Sequence, residues 1–198
     1  MKNVIFLLIV MVACWKIFFS SSEVVLGPGI YAAQAPKQTK IDRPAPYVMD
    51  EFEITELAYF EIRAKVLGKE NYSLGRESDL APIDLALGWG PMSDESVLQH
   101  IDISQSSRYY RWQVESFPIP RRQIEIHSAN MHLIPATSEI EKQINDARKG
   151  DIIELSGSLV NVNSTEDGWF WKTSLTRKDT GSGACELILV REFKVVSI

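Results

Sequence analysis

The sequence predicts a mainly β (α+β) fold: an OB-like antiparallel barrel, closed or partly open, with one capping helix and one inserted segment. Three observations lead to this prediction. Apolar and polar side chains alternate in residues 57–67. Residues 138–163 show the pattern of a short helix and then that of a long strand. Residues 185–196 show the pattern of a last strand. Strands thus lie on both sides of one central helix. The OB fold, a five-stranded and partly open barrel, is the nearest standard form. The same order of elements also fits a generic α+β sheet.

Strand patterns occupy the first half of the predicted domain. Residues 57–67 place apolar side chains on one face and mostly charged side chains on the other, as in a strand with one buried face. Residues 83–89 alternate in the same way until glycine and proline end the pattern. Ser93 then predicts the N-cap of a helix of one to two turns.

A further alternating pattern at residues 108–115 places Tyr110 and Trp112 on one face of a strand. Two prolines end this pattern, because proline cannot donate a backbone hydrogen bond, and residues 123–134 read as extended chain. We expect these elements to form an insertion between the early strands of the barrel.

The central helix has a start signal and a stop signal. Ser138 and Glu141 form a capping box, in which each side chain bonds a backbone N–H that the helix leaves unpaired. Ile140 and Ile144 recur on one apolar face. Gly150 is suited to end the helix, since glycine takes the left-handed conformation without strain.

The strand pattern after the helix changes parity along its length. Ile153 and Leu155 share one face, whereas Val160 and Val162 share the other. A β-bulge at Gly157 would reconcile the two faces, and glycine inside a strand often marks a bulge. A polar turn and a tryptophan-rich return strand follow, which predicts a β-hairpin.

Composition restricts the classes of function. The chain has 198 residues and a net charge of −5, whereas nucleic-acid-binding domains are usually basic, so no nucleic-acid partner is expected. No motif indicates a cofactor. Of the two cysteines, Cys14 lies in the N-terminal apolar run, which leaves Cys185 as the one thiol of the predicted domain.

The chain divides into three predicted parts: a membrane anchor or signal segment at residues 1–19, a proline-containing linker at 20–50, and a single exported β-rich domain at 51–198. The short basic N-terminus favours a cytoplasmic start, so the domain would face the periplasm from a bacterial inner membrane. Cleavage after Ser22 and lipidation at Cys14 are the alternatives to a retained anchor.

Four blocks of sequence resemble those of a group of uncharacterised bacterial proteins that carry an N-terminal membrane anchor. The blocks read DLALGWGPMSD at 84–94, ISQSSRYYRW at 103–112, HSANMHLIPA at 127–136 and KTSLTRKDTGSGACE at 172–186. The resemblance extends over most of the chain from about Val25. It implies a bacterial envelope setting and carries over no catalytic residue, because the group has no established function.

A ligand-binding surface is expected on one concave face, as OB-like barrels bind ligands across one face of the sheet. Six residues on or beside predicted strand ends have large aromatic or long polar side chains, which a position in the core does not require. They are Trp89, Tyr109, Arg111, His132, Trp169 and Arg177. The predicted function is a membrane-anchored binding or assembly module that engages an envelope protein or polymer.

The alternative function is a hydrolase that uses Cys185 as its nucleophile and His132 or His127 as its base. A lone cysteine at the start of an apolar strand is more often a small buried hydrophobe. The two histidines are five residues apart, and on a strand an odd separation directs side chains to opposite faces. For the same reason the sequence predicts no metal site at these histidines.

Overall fold

The computed structural model describes residues 23–176 and 185–197. Strands account for 47% of the structure and helices for 17%, which confirms the predicted mainly β class. The strands of the described part are β1 (Lys37–Lys40), β2 (Pro46–Met49), β3 (Phe52–Asn71), β4 (Ile83–Gly88), β5 (Asp102–Ser106), β6 (Tyr109–Gln113), β7 (Ser128–Pro135), β8 (Ile152–Ser164), β9 (Phe170–Lys172) and β10 (Glu186–Val195). The helices are α1 (Arg76–Leu80), α2 (Glu95–Leu98), α3 (Arg121–Ile126) and α4 (Ser138–Asp146), with a 3₁₀ turn at Gly90–Ser93.

Five strands form a ring in the order β3, β4, β7, β10, β8 and back to β3. β7 and β10 pair in parallel, whereas the other four pairs are antiparallel. The length of β3 makes the ring possible, because its first two thirds pair with β8 and its last third pairs with β4. α4 follows β7 in the chain, precedes β8 and packs against β10 and β7.

The apolar side chains on one face of each ring strand fill the ring. The alternation in residues 58–66 of β3 supplies one wall, and Ile144 of α4 is buried against the same cluster. Trp89 and Phe60 are the largest fully buried members, each 1% exposed. The period-two pattern in the sequence is therefore the pattern of residues that face the interior of the ring.

A second apolar cluster covers the opposite face of the sheet. Val160 and Val162 belong to this cluster, together with Ile54 and the partly buried Trp169 and Trp171. The second half of β8 thus buries both faces, because Leu159 packs inside the ring whereas Val160 and Val162 pack in the second cluster. The predicted bulge at Gly157 is wrong.

The irregularities in register lie in the partner strands of β8. In β10 the register shifts between Val190 and Glu192, and in β3 it shifts between Glu56 and Ala58. Gly157 pairs opposite Val190, next to the first of these shifts. A sequence pattern in one strand could not show that its neighbours carry the extra residues.

The central helix differs from its prediction at both ends. Thr137, not Ser138, is the N-cap, and its hydroxyl accepts a hydrogen bond from the N–H of Ile140. The helix ends at Asp146 with Ala147 as its C-cap, so the end predicted at Gly150 comes three residues too late. Gly150 does have a positive φ of 93°, but it serves the turn that enters β8.

The structure places two strands inside residues 20–50, the stretch for which the composition predicts a linker. β1 and β2 both pair with β3, on the side of β3 that does not face β8. Both strands are short and almost wholly exposed, so their sequences lack the apolar alternation that indicates a strand. Upstream of them, the N–H of Val24 donates to the carbonyl of Lys149, and the N–H of Gly90 donates to the carbonyl of Ala32.

An insertion at residues 90–126 separates β4 from β7. Its two strands, β5 and β6, form a separate hairpin that packs with α2 and α3 over a third apolar cluster. The expectation of extended chain at 123–134 is wrong for its first four residues, which belong to α3. Ser107 and Arg108 form the hairpin turn with φ of 53° and 69°, as a two-residue type I′ turn requires.

No helix among residues 23–176 and 185–197 is long and apolar enough to span a membrane. The predicted anchor at residues 1–19 lies outside the described residues.

Candidate functional site

A cleft of about 600 Å³ lies beside the inserted hairpin. Strand β6 and the chain that follows it form one wall, the start of β7 forms the floor, and Thr176, Cys185 and Glu186 border the other side. The volume falls within the usual range for binding pockets. The aromatic residues of its lining are Trp89, Tyr109, Tyr110, Trp112 and Phe117.

The aromatic wall follows from the alternation of β6. Tyr110 and Trp112 pack against the third apolar cluster, whereas Tyr109 is 44% exposed on the other face. Phe117 is 53% exposed and meets Trp112 edge-on, with the ring centroids 6.2 Å apart. Exposed aromatic rings held by a rigid neighbour provide contact area at a small entropy cost, as binding surfaces require.

Two arginines line the cleft, and they differ in the side chains that they contact. The Arg121 side chain donates to Glu125 at 2.8 Å, and this hydrogen bond helps to lower the pKa of the Glu125 carboxyl. The Arg111 side chain lies over the Tyr109 ring, 5.6 Å from its centroid, and donates to the hydroxyl of Ser106 at 2.9 Å. Within the described residues no carboxylate forms an ion pair with Arg111, so this guanidinium is available to an anionic group of a ligand.

The floor of the cleft ties the hairpin to the ring. The Tyr110 hydroxyl donates to the hydroxyl of Ser128 at 3.1 Å, and burial raises the pKa of Tyr110 to about 12. The Gln105 amide donates to the side-chain oxygen of Asn130 at 2.7 Å. Both strands of the hairpin are therefore fixed to β7, and the cleft has a defined width.

A buried polar network lies beneath the hairpin turn. Asp84 is fully buried on the outer face of β4; its Oδ1 accepts from Arg108 at 2.7 Å and its Oδ2 accepts from Asn130 at 3.2 Å. His132 Nδ1 lies 2.9 Å from Asp84 Oδ1, but this contact lacks the alignment of a hydrogen bond. The network satisfies the one carboxylate that interrupts the apolar run of β4.

Arg108 is held in the left-handed conformation by contacts on every part of the residue. Its N–H donates to the Tyr72 hydroxyl at 2.9 Å, its carbonyl accepts from Asn130 at 3.1 Å, and its guanidinium lies 3.8 Å from the centroid of the Tyr72 ring. A non-glycine residue keeps such a conformation when its surroundings determine it. These contacts set the position of the hairpin relative to β4.

The structure brings three of the six predicted ligand-binding residues to one place. Trp89, Tyr109 and Arg111 line the cleft, although Trp89 also fills the ring interior. His132 does not line it and packs against Trp171 at a centroid distance of 4.8 Å. Trp169 packs edge-on against Phe52 in the second cluster, with centroids 6.0 Å apart. Arg177 lies outside the described residues, and the binding role of the set stays a prediction.

Several residues of the site did not emerge from the sequence. Phe117 lies in an irregular segment between β6 and α3, where no periodic pattern indicates a position. Trp112 belongs to the alternating pattern of residues 108–115, but it is not among the six residues that the sequence predicts as ligand-binding. A signal did exist for the network: Asp84 is a charged residue inside an otherwise apolar strand, and such a residue needs a buried partner.

Cys185 is half-buried and lines the cleft, but neither histidine of the alternative hypothesis does. His127 Nδ1 lies 2.9 Å from the carbonyl of Gln123, and its ring packs beside Trp89. His132 is 4% exposed in the network beneath the hairpin. The described part of the chain contains no group of three His, Cys, Asp or Glu side chains placed to hold a metal ion.

No protein-family model, curated protein or solved structure matches this chain.

Proposed function

We propose that this protein is a binding module of the OB type, in which the cleft beside β6 holds an extended ligand of the cell envelope. The ring supports the OB part of the proposal. Its strands, numbered along the chain, follow the order 1-2-3-5-4 and return to 1, and the single helix between strands 3 and 4 occupies the place of the OB helix. OB folds bind ligands on the face of strands 2 and 3, which here are β4 and β7, and the cleft lies over β7.

The observation that carries the proposal is the pairing of exposed aromatic rings with an arginine that has no acidic partner among residues 23–176 and 185–197. Tyr109 and Phe117 are both about half exposed beside Arg111 in one cleft. A purely structural surface has no need to hold two large aromatic side chains in solvent next to a cation. Binding is favoured over hydrolysis by Cys185, because neither histidine lines the cleft that this thiol lines.

In vivo photo-crosslinking tests this proposal. A photoreactive phenylalanine analogue at position 117 should crosslink to an envelope component, since the native ring is 53% exposed in the cleft. Phe170 provides a matched control: it is 60% exposed on β9 and does not line the cleft. Equal crosslinking at the two positions, or none at position 117, would contradict the proposal.

Anchoring at the inner membrane through residues 1–19 is the second part of the proposed function. Its support is the almost wholly apolar run from Val4 to Trp15, which follows a short basic N-terminus. A fusion of alkaline phosphatase after Asp50 should be active, because that reporter folds only on the periplasmic side. Activity of β-galactosidase at the same junction would show that the domain remains in the cytoplasm.

A further inference from the structure

The type I′ turn of the hairpin determines which backbone groups of β6 point into the cleft. In a two-residue hairpin the residues that flank the turn, here Ser106 and Tyr109, form a hydrogen-bonded pair, and such pairs alternate along the ladder. Tyr109, Arg111 and Gln113 therefore direct their N–H and C=O groups towards β5. Tyr110 and Trp112 direct theirs away from β5.

The outward backbone groups of β6 have no hydrogen-bond partner among the described residues. β6 pairs with β5 alone in a two-stranded sheet, and in the part of the chain that the structure describes no group bonds the N–H or C=O of Tyr110 or Trp112. The cleft lies along this same edge. A strand with a free edge is a template for pairing with another extended chain.

We infer that β6 is a strand-addition site, at which an extended peptide pairs with the N–H and C=O groups of Tyr110 and Trp112 inside the cleft. This inference rests on the proposed function and names its ligand class. Backbone pairing supplies the affinity in such complexes, and alternate side chains supply the specificity.

The side chains beside the free edge define the sequence of the peptide. On one face of β6, Arg111 has no acidic partner among the described residues and lies next to the position of an added strand, so a carboxylate is favoured there. On the other face, Trp112 and Phe117 favour an apolar side chain. Side chains of a strand alternate between faces, so the ligand should alternate acidic and apolar residues.

Two synthetic peptides test the inference on the full chain. The first is an acetylated and amidated hexapeptide that alternates leucine and glutamate, and the second carries lysine in place of glutamate. Peptide binding is followed by amide NMR, and it should shift the N–H signals of Tyr110 and Trp112 and protect these amides from hydrogen exchange. The glutamate peptide should bind at least about tenfold more tightly than the lysine peptide.

Backbone N-methylation separates strand addition from other modes of binding. Every second amide of the bound peptide faces β6, and methyl groups on these amides should weaken binding at least about tenfold. Methyl groups on the remaining amides, which face away from β6, should not weaken it. The variant Arg111→Glu should reverse the preference between the two peptides, whereas Arg43→Glu, a matched change at an exposed position that does not line the cleft, should not.

Equal effects of the two methylated sets, unchanged Tyr110 and Trp112 amides, or no peptide binding at about 1 mM would each overturn the inference. Crosslinking at position 117 distinguishes a wrong peptide class from a wrong binding function. If it still crosslinks to an envelope component while the peptides fail, the binding function stands and the peptide class is wrong. If crosslinking fails too, both are wrong.

Discussion

The substitution Asp84→Asn should lower the free energy of unfolding by about 3 kcal/mol or more, because removing one partner of a buried ion pair leaves the other charge uncompensated. Asp84 is fully buried and accepts hydrogen bonds from Arg108 and Asn130. A neutral amide keeps the shape of the carboxylate but cannot balance the guanidinium. Urea unfolding followed by tryptophan fluorescence measures the change.

Two further variants identify the cause of that loss. Asp167→Asn removes an exposed carboxylate that pairs with Arg76, and the unfolding midpoint should stay close to that of the wild type. The double variant of Asp84→Asn with Arg108→Met buries no charge at this place, so it should recover part of the lost stability. A single Asp84→Asn variant as stable as the wild type would show that the network does not hold the hairpin.

The substitution Gly157→Ala should cost about 2 kcal/mol or more, because the added methyl group would meet backbone that cannot move freely. A Cβ atom at Gly157 would lie 2.1 Å from the carbonyl oxygen of Leu189 and 3.1 Å from the Cα of Val190. Both belong to β10, which is held on its other edge by β7. β8 and β10 would therefore have to separate, and a lower melting temperature by circular dichroism would report it.

Gly27→Ala is the control for the loss of a glycine as such. A Cβ atom there would have one ordinary contact, 3.8 Å from the hydroxyl oxygen of Tyr31. The melting temperature of this variant should change little. If Gly157→Ala melted at the same temperature as Gly27→Ala, the close approach of β8 and β10 would be unimportant for stability.

The mainly β class could be predicted because the two faces of each ring strand have different surroundings. One face is buried inside the ring and the other is exposed or packs elsewhere, so apolar side chains recur at every second residue. β3 shows this period most clearly. The edge strands β1 and β2 could not be predicted, since their residues bury almost nothing. The sequence did not predict α3, because this helix is only six residues long and has no capping side chain to mark its start.

Three of the six predicted site residues line the cleft, and two of these three are close in sequence. Tyr109 and Arg111 lie on one strand, so the cleft that contains one contains the other. His132 and Trp169 were grouped with them on the assumption of a single sheet face. In the structure, Trp169 packs in the second apolar cluster and His132 lies in the buried network. Which side chains share a surface depends on tertiary packing, and no local sequence pattern shows it.

The hydrogen bonds of residues 24–32 to the domain determine how far the domain could reach from a membrane. A flexible linker over residues 20–50 could extend about 100 Å. Under the proposed anchoring, the backbone bond between Val24 and Lys149 would leave only residues 20–23 between the domain and an anchor that ends at residue 19. Four residues span at most about 14 Å. Under the proposed anchoring, the domain would therefore stay close to the bilayer surface with a restricted orientation.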